Sequence, residues 1–289
     1  VYTLNGAYND RTARDAVLAD YTSGAVPHGA PPVTVQPDGT LDILGDEMMW
    51  AVYNDLDSTA HTNRADNLRK AMGVEVQQTT FAFAAQGALN NTLFIKYKVI
   101  NRGPWFLDEM YASQWCDPDL GGATDDVVGC DVGQSIGFVY NSTDSDGVYG
   151  VQGPAVGFCF FQGPSVAGSP LGLSSFNMYI NATDPNTAEK SYNYMQGLTA
   201  EGSVVIDPTT GSPTTFMLSG DPTTGTGWLD SNPADRRMQL SSGPFTMAPG
   251  DSQEIGVGIV VGQGVDRGAG GRRRIGVECE LLRIERQAR

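Results

Sequence analysis

The sequence predicts an all-β fold: a mainly antiparallel β-sandwich or jelly-roll-like body with a short N-terminal helix. Two observations predict it. Short runs rich in Val, Ile, Thr, Phe and Tyr recur across residues 48–261, a composition that fits a pleated, half-buried surface. Between them lie Gly-, Pro-, Asn- and Asp-rich stretches, drawn from 36 Gly and 16 Pro in 289 residues, and these are turn formers. Short strands spaced by such turns are the signature of a sandwich or barrel.

The elements follow in order. Residues 10–21 (DRTARDAVLADY) suit a short helix, and a Pro/Gly loop over 24–39 holds His28. Residues 48–53 form the first strand, and residues 67–72 make one helical turn at most. Residues 74–85 (VEVQQTTFAFAA) and 92–100 (TLFIKYKVI) are strands, the second with Phe94, Lys96 and Lys98 on one face. Residues 87–91 between them have hairpin chemistry. Strands at 110–115, 135–140, 156–161, 176–180 and 202–206 continue the pattern, and 245–248 and 255–261 close it. Three segments result: residues 1–44, a helix and loop packing on the body; 45–266, the body, in one or two subdomains with the softest stretch at 207–227; and 267–289, a basic tail.

Charge narrows the partners. The formal net charge is −15, which repels a phosphate backbone and argues against nucleic acid. No apolar run approaches the roughly 20 residues of a membrane helix, so membrane insertion is not expected. Lys70, Lys96, Lys98 and Lys190 are the only lysines, and a Lys-poor, Asp-, Asn-, Thr- and Gly-rich chain has the composition of extracellular bacterial surfaces. Without an initiator Met or signal peptide, a mature or excised fragment is expected. The tail breaks the composition: Arg267, Arg272, Arg273, Arg274, Arg283, Arg286 and Arg289 fall in its 23 residues, and residues 1–266 then carry a net charge of −19. An out-of-frame or vector-derived tail is expected, ahead of a basic tail docked on the acidic body.

Five segments carry a family resemblance: residues 45–57 (GDEMMWAVYNDLD), 73–83 (GVEVQQTTFAF), 115–121 (WCDPDLG), 125–131 (DDVVGCD) and 155–164 (AVGFCFFQGP). Over about residues 45–266 the chain resembles large secreted multidomain proteins of Bacteroidota-like bacteria, which often end in a C-terminal secretion-sorting domain. The resemblance implies a secreted or cell-surface bacterial setting. It carries no catalytic residues, and it stops after Asp266, where the Arg-rich tail begins.

Asp117, Asp119, Asp125, Asp126 and Asp131 crowd a Gly-punctuated stretch. Hard oxygen ligands on flexible loops are what Ca²⁺ takes, so calcium is the expected cofactor. Asp55 and Asp57 are candidate ligands from another loop, and Asn141, Asp144 and Asp146 form a second group. The competing reading is an Asp-rich turn.

Catalytic candidates come in two pairs. Ser135 lies in Gly133-Gln-Ser-Ile-Gly137, a match to the serine-hydrolase elbow, with His61 as its base. The residues after Ser135 are strand-like rather than helical, which favours a chance match. Glu47 and Glu75 are candidate carboxyls for glycoside hydrolysis, with solvated strand positions as the alternative. Trp50, Trp105, Trp115 and Trp228 are either sugar-stacking platforms or core. A Cys116–Cys130 disulfide would staple the Asp-rich stretch, and Cys159 between two Phe is expected buried and free. The expected function is a secreted or cell-surface, non-catalytic module that binds a glycan or another extracellular partner and is braced by Ca²⁺. The alternative is a secreted hydrolase acting on an ester or a polysaccharide.

Overall fold

A computed structural model describes residues 2–5, 11–26, 29–30, 34–37, 41–57, 59, 70–143, 145–151 and 153–262. The main strands are β1 (Tyr2–Asn5), β2 (Glu47–Asn54), β3 (Val74–Ala82), β4 (Thr92–Asn101), β5 (Leu107–Cys116) and β6 (Asp126–Asp131). They continue with β7 (Ile136–Asn141), β8 (Ala155–Gln162), β9 (Ser175–Ile180), β10 (Arg236–Met247) and β11 (Ser252–Gly262). Among the described residues two α-helices accompany them, α1 (Arg11–Ser23) and α2 (Ala188–Met195). Mainly antiparallel β-structure with a short N-terminal helix is what the sequence predicts, and it is what the chain forms.

These strands sort into two antiparallel sheets. Eight run in the order β1-β2-β3-β4-β11-β8-β7-β6, and three in the order β9-β10-β5. Alternation within the strands tells how the sheets face each other. Phe158 and Phe160 of β8, Val128 and Cys130 of β6, Val139 of β7 and Val257 of β11 meet Phe176, Met238, Leu240 and Cys116 of the small sheet. Gly137 sits under this contact, where an added Cβ would fall 2.8 Å from the Phe176 ring and 2.9 Å from Leu240. The small sheet rests directly on that bare backbone.

Several elements depart from the expected ones. The first segment supplies β1, which pairs antiparallel with β2 at the sheet edge. Residues 126–131, expected in a loop, form a strand in which Val127, Val128, Gly129 and Cys130 are buried. The strand expected at 245–248 is the end of a longer one, Arg236–Met247, whose polar residues and Pro244 hid its length. Between β3 and β4 the connection is a 3₁₀ turn, Gly87–Asn91. Residues 202–206 contribute only the short Val205–Ile206 ribbon. Helix α2 starts at Thr187, whose side chain accepts from the Lys190 N–H at 3.2 Å and caps it.

The cysteines also differ. Cys116 and Cys130 are free, each buried in the core between the sheets. Burial pushes both thiols well above their ordinary range. Cys159 is fully buried, as expected, but disulfide-bonded rather than free. The basic tail, 267–289, lies outside the described residues.

Leu240 is fully buried between the sheets. Leu240→Ala is expected to cost about 2–5 kcal/mol, measured as a shift in the urea unfolding midpoint at unchanged slope.

Candidate functional site

The sandwich has an acidic end, and the chain builds it in three passes. The first leaves β5 at Cys116 and turns back through Asp117-Pro-Asp-Leu-Gly-Gly122. Leu120, buried, plugs this end of the core. The second pass is the β6–β7 hairpin. Ser142 N–H donates to the Asp125 carbonyl at 2.8 Å, so the next pair in register, Asp126 and Asn141, is a non-hydrogen-bonded one. Side chains approach most closely at such pairs. The third pass brings Asp230 and Asp235 just before β10, and Arg236 and Arg237 at its start.

Asp126 and Asn141 are 1% and 2% exposed, and both reach Leu120. The Leu120 N–H donates to Asp126 Oδ2 at 3.0 Å, and Asn141 Nδ2 donates to the Leu120 carbonyl at 3.0 Å. Asn141 Nδ2 also lies 3.4 Å from Asp146 Oδ2, which accepts from the Gly122 N–H at 2.9 Å. An added Cβ on Gly122 would fall 2.9 Å from Asp125 Oδ1 and 3.5 Å from Asp146 Oδ2. Four side chains therefore gather around the Leu120–Gly122 backbone. Burial pushes the Asp126 carboxyl up to about 7, the Leu120 N–H opposes the rise, and the charges of Asp125, Asp119 and Asp146 add to it. Asp146 is held below the usual carboxylate range by N–H bonds from Tyr149 and Gly122.

Among the described residues, the two arginines at this end are engaged elsewhere. Arg236 pairs with Asp230 at 2.7 Å, both buried. Arg237 pairs with Asp117 at 3.1 Å and Asp184 at 3.4 Å. Carboxylate oxygens of Asp117, Asp119 and Asp235 lie within 4.8 Å of one another, Asp117 and Asp119 being exposed.

Next to this group, the outer face of the small sheet carries aromatics. Trp115 stands on the edge strand β5, 48% exposed, and its indole N–H donates to the Tyr179 hydroxyl. Tyr179 stacks on Tyr194 of α2, ring centroids 5.4 Å apart and nearly parallel. Tyr179 and Arg237 are cross-strand partners, so aromatic, cation and carboxylates share one face. Burial pushes the Tyr179 phenol up to about 12, which keeps it a neutral hydrogen-bonding group.

The other expected site residues lie apart. Asp55 accepts from the Met72, Gly73 and Val74 N–H groups and staples the β2–β3 connection. Asp57 accepts from the Thr59 N–H and hydroxyl. Both follow β2, six strands from β6 in the sheet order, about 29 Å at roughly 4.8 Å per strand. Asp131 caps the β6–β7 turn by accepting from the Gln134 N–H at 3.0 Å. Asp144 and His61 lie outside the described residues. Ser135 has a positive φ of 51°, but it closes the tight β6–β7 hairpin, and its Oγ accepts from the Leu173 N–H at 3.3 Å. A strand follows it, not the helix of a nucleophile elbow. Glu47 pairs in register with Ala82, and Glu75 with Asn54. The two glutamates thus point to opposite faces, about 23 Å apart along the strand at roughly 3.3 Å per residue. Arg102 holds Glu75 at 3.0 Å.

A separate cavity of about 410 Å³ lies on the large sheet, lined by Phe81, Phe83, Phe94 and Phe161, with the Lys96–Glu254 ion pair, 3.2 Å, among its lining. Its lining is mostly apolar, with Lys96, Gln162 and Glu254 at its polar part. No protein-family model matches the chain, and no curated protein matches it.

Asp126 has a folded-state value raised above its unfolded one, so it favours folding at low pH and loses that contribution as pH rises through about 7. In chelator-treated protein, lowering pH from 8 to 5 is expected to raise the melting temperature of the wild type relative to Asp126→Asn. Equal pH slopes for the two proteins would contradict it.

Proposed function

We propose that this chain is a non-catalytic, glycan-binding module of a secreted or cell-surface bacterial protein. The observation that supports it most is the half-exposed Trp115 indole, tied to Tyr179 and set beside Arg237, Asp117 and Asp184. Sugar rings present apolar C–H faces and a rim of hydroxyls. An aromatic face meets the first, and carboxylates and a guanidinium meet the second. Trp115 lies on an edge strand, which leaves its face open to an extended chain. The Lys-poor, acidic composition and the resemblance to secreted proteins suit the same setting. The Phe-lined cavity, mostly apolar and with its one lysine already paired to Glu254, suits a sugar less well.

Affinity electrophoresis against a panel of soluble polysaccharides tests the reading. The wild type is expected to be retarded by at least one of them, and Trp115→Ala to bind about tenfold more weakly, the loss of roughly 1.4 kcal/mol of stacking. Retardation by none, or equal retardation of wild type and variant, would overturn it. Release of reducing sugar from the retarding polysaccharide would replace it with the hydrolase.

A further inference from the structure

We propose that Asp125, Asp126 and Asn141 hold a calcium ion at the acidic end of the sandwich. Three oxygens carry the inference. Asp125 Oδ1, Asp126 Oδ1 and Asn141 Oδ1 are all buried, and none has a hydrogen-bond donor among the described residues. Buried acceptors without a donor are rare because each has lost its water without replacement. Asp126 and Asn141 are each more than nine-tenths buried, and their adjacency in a non-hydrogen-bonded pair sets both side chains on one face.

Asn141 cannot solve the problem by turning its amide over. Its nitrogen already donates to the Leu120 carbonyl and lies against Asp146 Oδ2, two acceptors that would repel the oxygen. Asp126 is likewise held through Oδ2 by the Leu120 N–H, which leaves Oδ1 as its unpartnered atom. Asp125 comes from the neighbouring residue, and its Oδ1 and Asp146 Oδ2 approach the same bare Gly122 backbone. Charge points the same way. Asp119, Asp125, Asp126 and Asp146 share this end, while Arg236 and Arg237 pair with Asp230, Asp117 and Asp184.

The donor set selects the ion. Carboxylate and amide oxygens on an irregular loop match the hard, flexible coordination of Ca²⁺. Mg²⁺ demands near-octahedral geometry, and Zn²⁺ prefers nitrogen and sulfur. The group of Asp117, Asp119 and Asp235, with the first two exposed and Asp235 half-buried, is a different place. Its Asp117 is neutralised by Arg237, and it supplies no side chain as deeply buried as Asp126 or Asn141.

Calcium titration of the full chain, stripped with chelator, tests the site by calorimetry and by melting temperature. The wild type is expected to show saturable binding and a melting temperature that rises with Ca²⁺ and rises less with equal Mg²⁺. Asp126→Asn keeps the shape, offers an N–H to Asn141, and is expected to lose the calcium response. Asp125→Asn, in a less buried position, is expected to weaken it and serves if the first variant does not fold. Asp119→Asn and Trp115→Ala are expected to keep it, which separates this site from the exposed carboxylates and from the glycan reading. The proposal is overturned if the wild type gives neither heat nor a melting shift, as when a proton shared by Asp126 and Asn141 satisfies both oxygens. It is overturned equally if Asp126→Asn and Asp125→Asn titrate like the wild type, or if Asp119→Asn alone abolishes binding.

Discussion

A three-stranded sheet cannot cover an eight-stranded one, and the mismatch organises this molecule. At roughly 4.8 Å per strand, the small sheet spans less than half the width of the large one. Its packing falls on β6, β7, β8 and β11, with Tyr97 and Val99 of β4 at the margin. The core lies where the two sheets overlap. Phe176, Met238 and Leu240 are wholly buried there, and Gly137 gives them room. Beyond that overlap β2 and β3 find no partner in the small sheet, and the Phe-lined cavity lies on the other face of the large sheet, across β3, β4, β11 and β8.

The same overlap explains why acid is buried. The core runs along β6 and β7 until the hairpin pair Asp126–Asn141, on the face that Val128 and Val139 use for packing. A hydrophobic residue at 126 would simply extend the core. The chain instead ends it with a carboxyl and an amide, roofed by the Leu120 backbone. That ending ties the β5–β6 connection to the β6–β7 hairpin, so the loop that carries Asp117 and Asp119 is anchored to the interior. The Trp115 face and the buried polar group are therefore two sides of one loop.

Much of the fold was legible in the sequence, because alternation in segments such as 92–100 reports directly on which face is buried. Where the reading failed, burial on both faces was the cause. Val127-Val-Gly-Cys130 has no alternation to detect, and the neighbouring aspartates suggested a loop. In β10, Ser241 and Ser242 are fully buried by hydrogen bonding rather than by apolar character, so hydropathy missed the strand's length. For the site, the Asp-rich stretch was visible, but its membership was not. Asn141 and Asp146 read as a separate group until the hairpin register brought them beside Asp126. Asp55 and Asp57 read as companions until the sheet order set them apart. Local spacing conveys which residues are dense in carboxylate, and only the pairing of strands conveys which of them meet.

The cross-core placement of Cys116 and Cys130 has a further consequence, for how the protein reports on its own opening. Each thiol sits in the interior on a different sheet, and burial disfavours the thiolate that reacts. In the closed sandwich both are shielded from alkylating reagents and from oxidants. Separation of the sheets exposes them together. Their modification is a clock for that separation, read in solution without any introduced label, and it registers the opening of the overlap region rather than the fraying of peripheral loops.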